Sequence, residues 1–177
     1  MTSEHGQAVG RPGEDANLLY LDFDGVLHPA DVRLTPSGPE LNPKLCGHRL
    51  FEHADALSAV LDGRQNLLVV LSTSWVCHFG YEYAASRLPG PIRAKLVGAT
   101  FDEKQDGFGF LSVARGLQIV HDVQRRGAKR WVAIDDETAN WPAKDKRRLV
   151  KSNPLLGLGD PAVLAALVMS LDDLTKD

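Results

Sequence analysis

Cysteine is scarce in this chain: two in 177 residues, Cys46 and Cys77, with no CxxC pair. That excludes a disulfide-stapled scaffold and fits a reducing, cytoplasmic compartment. Long apolar runs are missing as well. Nothing approaches the roughly 20 residues of a membrane-spanning helix, so no membrane partner is expected. The N-terminus lacks the apolar core of a secretory signal. Neither sign of charge dominates. Lys and Arg total 20, Asp and Glu 23, for a formal net charge of -3. A protein built around non-specific nucleic-acid binding would be basic, although a local basic face is still allowed. No internal repeat is evident.

What is present reads as a globular domain. Residues 1–16 are rich in Gly, Glu and Pro and are expected to be a disordered tail. Residues 17–177 suit one domain with a sizeable core. Residues 18–21 form a short apolar run, read as a buried strand. A Pro-rich stretch over residues 28–43 follows, either a flap or a floppy loop. Asn42-Pro43 reads as a helix start. Leu50, Phe51, Ala54, Leu57 and Leu61 recur at helical spacing, and Gly63 ends the run. Further strands are expected over residues 67–71, 95–97, 131–134 and 149–150.

Residues 81–88 can form a helix stopped by Pro89-Gly90. A helix is expected over residues 111–126, with Val113, Leu117, Val120 and Val123 roughly on one side and Gly127 behind it. Asp160-Pro161 opens the last helix. Strands alternating with helices imply an α/β fold, a parallel sheet with helices on both faces. No segment is long enough for a separate cap domain.

The chemistry concentrates at strand ends. Leu18-Leu19-Tyr20-Leu21 runs into Asp22-Phe23-Asp24-Gly25-Val26. Two carboxylates that close repel unless a cation or a shared proton relieves them. The carboxyl edge of an open α/β sheet is where ligands bind. A second strand, residues 68–71, ends in Ser72-Thr73. A third, residues 131–134, ends in the acid pair Asp135-Asp136.

These segments, in this order, resemble the motifs of the haloacid dehalogenase (HAD) superfamily, most of whose members are Mg-dependent phosphatases. The wording Leu-Asp-Phe-Asp-Gly-Val-Leu-His-Pro, Leu-Ser-Thr-Ser-Trp and Ile-Asp-Asp most resembles the HAD domain of Swiss-Army-Knife RNA repair proteins. The resemblance covers residues 17–173. It implies a three-layer α/β/α Rossmann-like sheet with minimal or no cap. It also implies Mg2+ held by Asp22, Asp24 (through its backbone carbonyl), Asp135 and Asp136. Asp22 would be the nucleophile and Asp24 the acid and base. Ser72 and Thr73 would hold the phosphoryl group, with a basic residue beside them. That residue is ambiguous. Arg115, in Arg115-Gly116-Leu117-Gln118-Ile119, is preferred over Lys104. Where the resembling domains often carry Arg after the motif-two Trp, this chain has Val76.

The implied substrate is a small phosphomonoester or nucleotide, with a nucleic-acid end as a further possibility. Two other readings stay open: a non-catalytic phosphate- or partner-binding module, and an RNA-repair-associated domain inactive on small esters. The second needs the basic run Lys144, Lys146, Arg147, Arg148 and Lys151 to border the site; such a run otherwise reads as a solvated face. Cys46, His48 and His53 lack a fourth ligand and fit no zinc spacing. Trp75 and Trp141 either stack on a base or pack in the core, packing being the plainer expectation.

Overall fold

Five parallel strands form the central sheet of the computed structural model, which describes residues 16–107 and 109–176. Apart from Ala16, the tail expected over residues 1–16 lies outside the described residues. The strands are β1 (Asn17–Leu21), β4 (Leu67–Leu71), β5 (Leu96–Ala99), β6 (Arg130–Asp135) and β7 (Leu149–Lys151). Their spatial order is β5-β4-β1-β6-β7. The chain leaves β1 in one direction toward β4 and β5, then returns to place β6 on the other flank. β1 is therefore where the connections reverse, and a crevice opens at its carboxyl end.

The pleat explains why the strands are apolar throughout. Leu19, Leu21, Val69, Leu71, Val132 and Ile134 point to one face. Leu18, Tyr20, Val70, Trp131 and Ala133 point to the other. Both faces are covered, so alternation of polar and apolar residues is absent. On the first face lie α1 (Ala54–Leu61), α2 (Ser74–Phe79), α3 (Tyr81–Ser86), α4 (Gly90–Arg93) and α6 (Pro161–Asp173). The second is covered by α5 (Arg115–Arg126) through Ile119, with Trp141 beside it. The result is a three-layer α/β/α Rossmann-like fold, with no cap domain among the described residues.

Several local expectations are corrected. Residues 28–43 are not a floppy loop: Val32–Thr35 (β2) pairs antiparallel with Gly38–Leu41 (β3). The helix expected from Asn42 starts only at Ala54. Gly47 and Phe51 both take positive φ, 91° and 60°, which no α-helix accommodates. Asn42 instead caps a turn, its Oδ1 accepting from the Lys44 N–H at 3.0 Å. Helix α2 was not anticipated. The Thr73 hydroxyl starts it, accepting from the Trp75 N–H at 3.4 Å.

Helix α5 begins at Arg115 rather than residue 111, preceded by one 3-10 turn over Phe110–Ser112. Its orientation also differs: Val113 and Leu117 are exposed, while Gln118, Ile119 and Asp122 are buried. Val120 and Val123 of the expected stripe do pack on the core beside Ile119, but Gln118 and Asp122 share the buried side through their hydrogen bonds. No helix among the described residues is long and apolar enough to cross a membrane.

Candidate active site

The turn after β1 carries both motif-one acids. Asp22 is buried, and its N–H donates to the Ile134 carbonyl at 3.3 Å, which ties it to the end of β6. Its Oδ1 accepts from the next N–H, that of Phe23, at 2.8 Å. Gly25 then takes φ 71°, and a Cβ there would lie 2.5 Å from Asp136 Cγ. Glycine thus serves twice, making the turn and letting Asp136 approach the backbone. The turn is pinned from below by Ser152, just past β7: its hydroxyl donates to the Gly25 carbonyl at 2.7 Å and its N–H to the Asp135 carbonyl at 3.0 Å.

Asp22, Asp135 and Asp136 each offer a carboxylate oxygen, all within 4.8 Å of one another. Arg115 approaches from the first turn of α5. Its Nη2 lies 3.8 Å from Asp22 Oδ1, and its Nε 3.2 Å from Asp135 Oδ2. A cation at a helix N-terminus opposes the helix dipole, and the two carboxylates offset that. The Arg115–Asp135 contact is ionic without hydrogen-bond alignment, since both atoms remain buried without a hydrogen-bond partner. Asp135 Oδ1, by contrast, accepts from the Glu137 N–H at 2.8 Å.

The cluster is short of positive charge. Burial pushes Asp22 well above the ordinary carboxylate range; Arg115 pulls it down, and Asp135 and Asp24 push it up again. Burial also raises Asp135, against the pull of Arg115 and the Glu137 N–H, with Asp136 and Glu137 adding to the rise. Asp136 is raised for the same first reason. Burial would lower Arg115, but Asp22 and Asp135 outweigh it and hold the guanidinium charged. Three carboxylates sharing one guanidinium, with Asp135 Oδ2 unbonded, form a hard-oxygen donor set suited to a divalent cation such as Mg2+.

Asp24 sits in different surroundings. Its Oδ1 is 3.0 Å from His28 Nε2, and the Trp75 indole N–H reaches both its oxygens, at 3.0 and 3.2 Å. His28 is fully buried, and its Nδ1 accepts from the Phe51 N–H at 3.2 Å. With Nδ1 accepting, Nε2 carries the proton and donates to Asp24. The positive φ of Phe51 aims that N–H at the imidazole. Neither His28 nor Trp75 was identified as a site residue from sequence. The signal was a polar His inside an otherwise apolar stretch after Gly25, and a Trp just past motif two. Trp75 is indeed packed in the core, yet its indole edge faces Asp24.

Ser72 follows β4, its N–H donating to the Leu21 carbonyl at 2.8 Å. Its hydroxyl is buried without a partner, a polar group waiting for one. The Thr73 oxygen is occupied as the α2 cap, but its own O–H is still available to donate. Gln118, also unanticipated, accepts from Arg115 Nη1 at 3.3 Å. The structure thus brings together Asp22, Asp24, Ser72, Arg115, Asp135 and Asp136. Lys104 is exposed in the segment after β5, and Arg115, not Lys104, is the cation acting on the acids.

Of the basic run, Lys151 is the exposed register partner of Asp135 at the carboxyl end of β7, whereas Arg148 falls elsewhere. Arg148 stacks over the Trp131 ring, 5.2 Å from its centroid, and donates to the Trp131 carbonyl at 2.9 Å. That is the amino end of β6, opposite the acids. Trp141 packs over Gly116, where a Cβ would lie 2.7 Å from its ring. His48 pairs with Glu52 at 2.7 Å and the Cys46 thiol rests on the Pro43 carbonyl at 3.5 Å.

A family model described as the HAD domain in Swiss Army Knife RNA repair proteins matches residues 18–163. The chain belongs to that family. No curated protein and no solved structure matches it. The matched span runs from β1 into α6 and contains every residue of the acid cluster.

Proposed function

We propose that this HAD domain is a Mg2+-dependent phosphohydrolase that cleaves a phosphomonoester through an aspartyl-phosphate on Asp22. One observation supports this most: two acids in one turn occupy opposite environments. Asp22 is buried against Arg115, whereas Asp24 is partly exposed and held by N–H donors. A bound cation would hold Asp22 deprotonated for attack, while the Asp24 carboxyl lies outside the three-acid cluster and is open to proton exchange.

Asp22, Asp135 and Asp136, with the Asp24 carbonyl, would hold Mg2+, which when bound offsets the charge of an anionic phosphate approaching an anionic nucleophile. An Asp22 oxygen attacks phosphorus as the bond to the leaving oxygen breaks. Asp24, oriented by His28 and Trp75, gives its proton to that oxygen. It then takes a proton from the water that cleaves the Asp22–phosphorus bond. The Ser72 hydroxyl and the Thr73 O–H donate to phosphoryl oxygens, and Arg115 balances the charge that develops there.

The test compares an aryl phosphate having a good leaving group with an alkyl phosphate having a poor one. Asp24→Asn should lose far more activity on the alkyl ester, because protonation matters more there. Equal losses would remove Asp24 from the acid role. A wild-type protein that hydrolyses neither ester in Mg2+, and whose melting ignores the ion, would overturn the reading.

A further inference from the structure

A cavity of about 520 Å³ opens on the α2 side of Arg115, whose charge reaches the lining residue Cys77. Its walls are apolar and largely aromatic: Val76, Tyr81, Phe101, Phe110 and Leu111. Phe101 and Phe110 meet edge to face, their ring centres 5.1 Å apart. The size suits one small organic group, since ligand pockets run from about 300 to 1,000 Å³.

Two links join this cavity to the phosphate end. Helix α2 presents Trp75 to Asp24 and, in the next two residues, Val76 and Cys77 to the cavity. On the far wall Gln118 Nε2 donates to the Phe110 and Val113 carbonyls, both at 2.9 Å, while its Oε1 accepts from Arg115. The aromatic wall thus hangs on the residue that faces Asp22. A phosphoryl at Asp22 would face Arg115, and the group esterified to it would point along Arg115 toward this cavity.

The charge of the lining is one-sided. Among the described residues it contains Glu103 and Asp106 and no Lys or Arg. Asp106 is already engaged: it accepts from the Asp102 N–H at 2.8 Å and lies 3.8 Å from Arg125 Nη1. Glu103 is exposed and has no hydrogen-bond or ionic partner among the described residues. Aromatic walls take a flat ring by stacking. A free carboxylate at the mouth accepts from ring N–H groups and repels any further phosphate.

We infer that this cavity binds the leaving group, and that the substrate is a single ring-bearing monophosphate with N–H donors, a nucleoside monophosphate, rather than the phosphorylated end of a nucleic-acid strand. The inference rests on the phosphohydrolase reading and narrows it.

The test measures kcat/KM in Mg2+ for nucleoside 5′-monophosphates, for ribose 5-phosphate, and for 5′- and 3′-phosphorylated oligoribonucleotides. Ring stacking should favour at least one mononucleotide over ribose 5-phosphate by about tenfold or more. The oligonucleotide ends should be the poorer substrates. Phe110→Ala and Glu103→Gln should bring the mononucleotide-to-ribose ratio toward one, mainly through KM. Calorimetric binding of the same mononucleotides to Asp22→Asn gives a readout without turnover. Binding without wild-type hydrolysis would sink the phosphatase reading and keep the pocket. Hydrolysis with no ring preference, or a preference for oligonucleotide ends, would overturn the pocket and keep the phosphatase. Neither binding nor hydrolysis would remove both.

Discussion

Asp122 and Asp135 are both fully buried, and both face arginines of the same helix, α5. Asp122 sits in a closed network. Its oxygens accept from the Tyr20 hydroxyl at 2.9 Å, from Arg125 Nη2 at 2.6 Å and from Arg126 Nε at 2.6 Å. The two arginines reach on to carbonyls: Arg125 to Thr100, and Arg126 to Val97 and Ala99. They occupy the last turn of α5, where the helix dipole favours cations. Burial and Asp122 together raise the Tyr20 hydroxyl far above its ordinary range, so it remains a donor.

Asp135 has the reverse arrangement. Its arginine lies in the first turn, against the dipole, and is shared with Asp22. One of its oxygens has no hydrogen bond, and burial raises its pKa. The first cluster locks α5 to the edge of the sheet. The second keeps unmet charge where a ligand can use it. Buried acids facing arginine are thus not one kind of feature, and the state of their hydrogen bonds separates structure from site.

Breaking each cluster should have opposite consequences. Asp22→Asn should lower turnover by at least about 10⁴-fold, as removal of a nucleophile does. Yet it should stabilise the metal-free protein. The folded pKa values of Asp22 and Asp135 lie above their unfolded ones, so the metal-free fold binds more protons than the unfolded chain. Its stability is fullest below the ordinary carboxylate range and falls as pH rises toward the folded values. Melting in chelator should place the variant above wild type at about pH 8, the gap closing only below about pH 4, the ordinary carboxylate pKa. The gain in melting temperature from millimolar Mg2+ should grow over the same interval in wild type, because the ion binds deprotonated carboxylates.

Asp122→Asn should instead cost about 3 kcal/mol in denaturant unfolding, with or without Mg2+, as loss of one partner in a buried ionic network does. Were its cost to disappear on adding Mg2+, the two clusters would not be independent. Next in size, Arg115→Ala should lower kcat about a hundredfold with little change in KM. Lys104→Ala should behave as wild type; the reverse ranking would move the catalytic cation away from α5. Within the closed network the smaller effect belongs to Tyr20→Phe, which removes one hydrogen bond and should cost about 1 kcal/mol with turnover unaltered.

Legibility from sequence varied with the kind of signal. The strands could be read because a sheet covered on both faces demands unbroken apolar residues, as in Leu18 to Leu21 and Leu67 to Leu71. Asp22, Asp24, Ser72 and Asp135-Asp136 stood out because each directly follows such a run. Helix α5 was readable as a helix and its facing only in part: Val120 and Val123 pack on the core, Leu117 does not. Its buried side carries Gln118 and Asp122, whose partners Tyr20, Phe110 and Val113 are distant in sequence or lie outside the helix. The break at Phe51 was also hidden, because a positive φ on an aromatic residue pays off only through the His28 imidazole.

The sequence by itself determined the strand–helix alternation, and with it the parallel sheet and the acids at its carboxyl edge, because period and strand-end chemistry are local. Only the tertiary structure decided which cation faces Asp22, what holds Asp24, and which buried acids are satisfied. Those depend on hydrogen bonds between β1, α2, α5 and β6, elements brought together only when strand order reverses at β1. A residue's neighbours along the chain carry no record of such partners.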